Sequence, residues 1–150
     1  MTNLKDQFLK KLIPSIEIRQ GGIYKVPDDP INPIIKFPTN NLPEDHPQHT
    51  RTYHKQRYVL VIQDDKLNKN LSFHYVQVIP LSSRGTETSL TVEIPDELLS
   101  QEIPGPSYAL VYLCQPILKI FLEKEVGYIS PSHDIFTTIR AIYLKLVGLI

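Results

Sequence analysis

The apolar residues of this chain fall in short runs, separated by prolines, glycines and polar clusters, and that pattern predicts strands more than helices. Tyr58 to Ile62 is unbroken apolar or aromatic sequence rich in β-branched side chains, and Gln63, two aspartates and a lysine end it. A run with that punctuation predicts a fully buried strand over Tyr58–Gln63. Arg57 stands just outside it, where the chain leaves the basic, histidine-bearing segment "HTRTYHKQR". Other strands are predicted at Ile23–Val26, after a glycine pair, and at Ser72–Pro80. A third lies at Ser89–Pro95, with Leu90, Val92 and Ile94 turned inward and Thr91 and Glu93 outward. Ser107–Leu113 and a short "EVGYIS" strand complete the set. Strands at this spacing, with turn residues between them, predict a small, strongly bent all-β barrel.

The two ends have a different period. Leu4, Phe8 and Leu12 lie four apart and predict a short N-terminal helix stopped by Pro14. That helix either packs on the barrel or serves a partner. Near the C-terminus, Ser130 is placed as an N-cap, Pro131 at the first helical position and Asp134 in the first turn. Ile135, Ile139, Ile142, Tyr143 and Leu146 then follow helical spacing. Between residues 28 and 53 the chain carries Pro30, Pro33, Pro38, Pro43 and Pro47, which no ladder or helix tolerates. So long a connection is either functional or a surface insertion. The organisation expected is an N-terminal helical extension over 1–18 and one barrel domain over 19–150.

Composition narrows the function classes. A chain of 150 residues fits one domain, and its formal net charge of zero provides no global field toward nucleic acid or membrane. Contact with a polyanion must therefore come from a local patch. The one cysteine, Cys114, rules out a disulfide framework, is expected as a small core residue, and suits a reducing cytoplasm. No apolar stretch approaches the ~20 residues that span a bilayer, and the N-terminus has no apolar signal core. Phosphate-loop, dinucleotide-binding and H-E-x-x-H motifs are absent from the sequence.

Two polar clusters flank predicted strands: "HTRTYHKQR" before Tyr58 and "PLSSRG" after Ile79. The short connection from Asp64 to Leu71 implies that these strands are antiparallel neighbours, so Arg57 and Ser82/Ser83 should meet at one rim. An arginine offers a permanently charged fork matched to phosphate oxygens, and a serine hydroxyl adds a neutral donor. RNA carries its own nucleophile, the 2′-OH, so its cleavage requires alignment and charge stabilisation rather than a bound metal or a protein nucleophile. A solvated end-cap is the alternative role for Arg57. His46, His49 and His54 cluster without a regular element to fix tetrahedral geometry, so no metal or other cofactor is expected. His54, three residues before Arg57, is instead suited to proton transfer. His74 is expected to face outward from its strand and His133 to lie neutral in the first helical turn.

The segments "GGIYKV", "RYVLVIQDDKLN", "VQVIPLSSR", "SYALVYLCQPI" and the "VGYIS"-then-helix ending occur in an order and spacing that resemble the MazF/PemK-like toxins, from about Gln20 onward. The resemblance implies an SH3-like barrel of the MazF/PemK/CcdB kind with a C-terminal helix, a homodimer, and a cognate antitoxin as partner. It also implies metal-independent cleavage of single-stranded RNA, such as messenger RNA, leaving a cyclic phosphate and a 5′-hydroxyl. The family's arginine before such a strand falls on Arg57, its hydroxyl at the end of the next strand on Ser82, and its glutamine after a later strand on Gln115. Arg51, His54, Lys55, Ser83 and Arg84 complete the expected substrate-binding set. Three features depart from the pattern: Gly22 where an acidic residue is usual, Tyr58 where proline is usual, and a long loop without the Glu–Gln pair. A protein-binding toxin on the same barrel, of the gyrase-poisoning type, and a relative that binds without cutting remain the alternatives.

Overall fold

The computed structural model describes residues 4–27, 57–83, 89–103 and 105–150. Seven strands form one curled antiparallel sheet: β1 Gly22–Val26, β2 Arg57–Val61, β3 Tyr75–Ser82, β4 Thr91–Ile94, β5 Ser107–Leu110, β6 Gln115–Leu118 and β7 Lys124–Tyr128. Helices α1 (Leu4–Lys10), α2 (Asp65–Lys69) and α3 (Asp134–Leu146) stand before, within and after it. The strand order is β4-β5-β3-β2-β1-β7, with β6 also paired to β3. Past β4 the chain curls back to β7, where Leu99 bridges Gly127 and the Ser100 amide donates to the Val126 carbonyl at 2.8 Å.

β2 explains its own unbroken apolar run, because both of its faces are covered. Leu60 joins one core cluster with Ile23, Ile79, Leu81, Val92 and Ile94, roofed by Phe136 and Ile139 of α3. Val59 and Val61 point the other way, into a second cluster with Tyr24, Val26, Val76, Val78 and Ile117. The first cluster lies inside the curl; the second is closed by Ile16, Ile18, Phe121 and Leu122. β3 bends between them, pairing β6 through Val78 and β5 from Leu81 onward. Pro80 stands at the changeover on that edge, where a missing N–H costs no ladder bond.

Gly21 links three segments. Its N–H donates to the Val61 carbonyl and its own carbonyl accepts from the Ile129 amide, both at 2.8 Å. Its φ of +89° is one that side chains rarely adopt, and a Cβ there would sit 2.0 Å from the Ile129 oxygen.

Several sequence expectations are corrected. Arg57 is not outside its strand but is the first residue of β2, paired with Val26. The strand expected at Ser72–Pro80 runs from Tyr75 to Ser82, leaving His74 ahead of it. Ser107–Leu113 is a strand only to Leu110; a 3-10 turn, Val111–Leu113, carries the chain into β6, an edge strand that accommodates Pro116. Cys114 follows that turn half-buried, packed against the core rather than fully inside it. Helix α3 starts at Asp134: Pro131 instead occupies a turn closed by the His133 amide on the Ser130 carbonyl at 2.8 Å. His133 is the N-cap, its Nδ1 accepting from the Ile135 amide at 3.0 Å. Leu146 is exposed rather than core-facing. Helix α1 ends at Lys10, short of Leu12, and Leu4 is 84% exposed. No helix among the described residues is long and apolar enough to cross a membrane.

Candidate functional site

The β2–β3 ladder sets which end of the sheet holds Arg57 and Ser82. Val61 lies opposite Val78, Leu60 opposite Ile79 and Val59 opposite Pro80, where the pairing ends. The strands are antiparallel, so Arg57, where β2 begins, and Ser82, where β3 ends after turning to pair β5, lie at the same end of the sheet. Because side chains alternate along a strand, Arg57 shares the face of Val59 and Val61, and Ser82 shares the face of Val78 and Pro80. Both side chains are half-buried, and the Arg57 Nε is shielded from water. The guanidinium and the hydroxyl therefore belong to one end and one face of two adjacent central strands. Ser82 pairs with Tyr108 and Tyr108 with Glu93. Ser82, Tyr108 and Glu93 form one transverse row, at the end of the sheet where β2 begins with Arg57.

Ser83 follows the row and is exposed. Gln115 does not join it. It lies opposite Val78, four residues along β3 from Ser82, a separation of about 13 Å at ordinary strand rise. Its amide donates to the Leu113 carbonyl at 3.2 Å. Arg51, His54, Lys55 and Arg84, like His46, His49 and the whole proline-rich segment, lie outside the described residues.

Sequence reasoning missed Tyr108 and Glu93 as members of this row. The alternation in "SYALVYL" gives a strand, but nothing local says which residue of a neighbouring strand lies opposite. The polar residues after β2, by contrast, are structural. The Gln63 side chain donates to Asn68 Oδ1 at 3.0 Å and to the Tyr75 carbonyl at 3.1 Å, and accepts from the Gln77 amide at 3.1 Å. Asp65 accepts from the Gln20 amide at 2.8 Å, and Asp64 caps α2. This network ties the end of β2 to β3 and to the segment before β1, so the strand carrying Arg57 is anchored at its far end.

Three titratable groups are displaced by packing. Burial pushes the Cys114 thiol up to about 11, which keeps it protonated and a poor nucleophile. Burial likewise pushes the Tyr24 phenol up to about 12. It lowers the Lys119 ammonium. Lys119 is only 2% exposed, and its Nζ donates to the carbonyls of Leu67 at 2.6 Å and Asn70 at 3.0 Å. A shallow groove of about 500 Å³ lies elsewhere, beside Arg19, Leu98, Ser100, Glu102, Lys124 and Tyr128. Its cations are already occupied: Arg19 meets Glu125 at 2.7 Å and lies 3.6 Å over the Tyr128 ring, and Lys124 pairs with Glu102. An arginine fork and a hydroxyl at one end of the sheet are suited to an anionic oxygen group, and they lie away from this groove, at the ends of β2 and β3.

Solved structures share the architecture. A MazE–MazF complex from Deinococcus radiodurans aligns with a TM-score of 0.60 at 15% identity, covering 90% of this chain and all of that one. An endoribonuclease in complex with its cognate antitoxin, from a mycobacterial species, aligns at 0.57 and 13% identity over 89% of this chain and 97% of the other. The Mycobacterium tuberculosis toxin MazF-mt6 aligns at 0.54 and 19% identity over 65% of this chain and 92% of its own. Among curated proteins, none matches the chain. Residues 41–141 match the family model described as PemK-like, MazF-like toxin of type II toxin–antitoxin system, a span of well over half the chain. The chain belongs to the PemK-like, MazF-like toxin family.

Proposed function

We propose that this protein is the toxin of a type II toxin–antitoxin pair and a metal-independent endoribonuclease that cuts single-stranded RNA. The observation that carries the reading is that β2 and β3 are antiparallel neighbours, β2 beginning at Arg57 and β3 ending at Ser82, so that both lie at one end of the sheet. The Arg57 guanidinium donates to the non-bridging oxygens of the scissile phosphate, and Ser82 donates to the same group. The RNA 2′-oxygen attacks phosphorus as its proton leaves, the P–O5′ bond breaks, and O5′ takes up a proton. The products are a 2′,3′-cyclic phosphate and a 5′-hydroxyl. The two donors lower the barrier because negative charge on the phosphoryl oxygens grows in the transition state.

His54, three residues before Arg57, is the proposed proton carrier. Arg51, Lys55, Ser83 and Arg84 follow the RNA backbone, giving binding a steep salt dependence, and Gln115 lies further along the same path. An antitoxin chain covers the site in the inactive pair, and two copies of the barrel make the groove continuous. Support for these partners comes from the architecture shared with MazF in a MazE–MazF complex and with an endoribonuclease bound to its cognate antitoxin. The protein works in the cytoplasm, where its RNA substrate is.

One observation favours a second reading, a toxin that binds a protein target: Leu146, Val147, Leu149 and Ile150 form an exposed apolar end at the last turn of α3 and just beyond it. Incubating the pure protein with a long single-stranded RNA in EDTA separates the two. Discrete fragments with 5′-hydroxyl ends support the nuclease; intact RNA after incubation with a folded protein supports protein binding.

A further inference from the structure

We infer that Tyr108 is the stacking platform for a base next to the phosphate held by Arg57 and Ser82, an inference that rests on the RNA-cleaving reading above. Tyr108 lies directly opposite Ser82 in the β3–β5 ladder. Side chains so paired share a face, with Cβ atoms about 5 Å apart. The neighbouring Ala109 packs with Leu81 and Val92 in the inner core, so Tyr108 occupies the opposite face, half-buried among buried neighbours. Its backbone is fixed on both sides, by β3 and by β4.

The other described tyrosines have structural tasks. Tyr24 accepts from the Arg19 amide and donates to the Glu17 carbonyl. Tyr58 and Tyr143 pack on the inner core, Tyr75 meets Phe73 edge-on, and Tyr128 lies beneath Arg19. Tyr112 sits on the 3-10 turn beyond β5, away from the row. Tyr108 alone of these lies directly opposite Ser82, at the end of the sheet that carries Arg57.

Single-stranded RNA presents unpaired bases whose faces stack on aromatic side chains whatever their identity. The charges at this end of the sheet set the direction. Arg57 attracts the phosphate from one side, while the exposed carboxylate of Glu93, beyond Tyr108, repels it at the other. The backbone therefore runs on the Arg57 side, and the attached base swings toward Tyr108.

The test uses Tyr108→Phe, which keeps the ring, and Tyr108→Leu, which keeps an apolar side chain without it. Single-stranded oligonucleotides of 2′-deoxy backbone, lacking the nucleophile, report binding by fluorescence anisotropy, and RNA of the same sequence reports cleavage. Tyr108→Leu should weaken binding and raise KM about 5- to 150-fold, the span of one stacked base, with kcat largely kept. Tyr108→Phe should match wild type. A scan of single abasic positions should find one whose loss weakens wild type but not Tyr108→Leu, a response that a purely structural role would not give. Equal binding by wild type and Tyr108→Leu, or an identical abasic scan for both, overturns the stacking role while wild-type cleavage leaves the nuclease standing. A wild-type protein that neither binds nor cuts single-stranded RNA overturns both.

Discussion

The ammonium of Lys119 reaches across the fold to the carbonyl of Leu67, 2.6 Å away, and to that of Asn70, 3.0 Å away. These carbonyls belong to α2 and its C-cap, the excursion between β2 and β3, so one buried cation holds the link between the two strands of the proposed site. Lys119→Met should cost about 1–3 kcal/mol in urea unfolding, from the lost charge-assisted hydrogen bonds. Lys124→Met, removing an exposed ion pair, should change stability by less than about 0.5 kcal/mol. Equal effects from the two would remove the structural role given to Lys119.

Gly21→Ala should be among the most damaging single-methyl additions in the chain. Its φ is left-handed and the new Cβ would overlap the Ile129 oxygen, which is backbone that the Gly21–Ile129 hydrogen bond holds in place. A loss of more than about 3 kcal/mol is expected. Gly148 also has a left-handed φ, +77°, but open space around it, so Gly148→Ala should cost only about 1 kcal/mol. Thermal denaturation of both variants ranks them; the reverse order would contradict the packing at Gly21.

Tyr24 gives an alkaline limit to stability. Burial raises its folded-state pKa from 10.0 to about 12, so the folded protein holds the phenolic proton after the unfolded chain has released it. The contribution is complete below pH about 10 and is lost as pH rises through about 12, on the order of 2 kcal/mol in all. Urea titrations between pH 9 and 12 should show a steeper fall for wild type than for Tyr24→Phe. Parallel curves would mean that the phenol does not titrate differently in the folded and unfolded chains.

The sequence carried the strands well where apolar runs are bounded by turn residues, as at β1, β2, β4 and β7. It lost β6, because Pro116 reads as a strand breaker and only its place on an edge makes it tolerable. It misplaced the start of α3, because Ser130 and Pro131 make an acceptable helix start in isolation and the turn they form depends on the chain returning from β7. The antiparallel β2–β3 pairing, which puts Arg57 and Ser82 at one end of the sheet, could be read from the short connection alone. Tyr108 could not, since its place beside Ser82 depends on a pairing across 26 residues of chain. The glutamine, asparagine and aspartate residues around α2 show the same limit: polar side chains look alike in sequence whether they face substrate or satisfy buried backbone.

The proposed cleavage depends above all on Arg57 and Ser82 acting on one phosphate, and a double-mutant cycle on single-turnover RNA cleavage is the sharpest test of that. Arg57→Ala and Ser82→Ala should each slow cleavage about 100- to 1000-fold, with circular dichroism unchanged. The double variant should be little slower than the worse single one, because two donors that stabilise the same charge fail together. Losses that multiply in the double variant, or wild-type cleavage rates in either single variant, would contradict it.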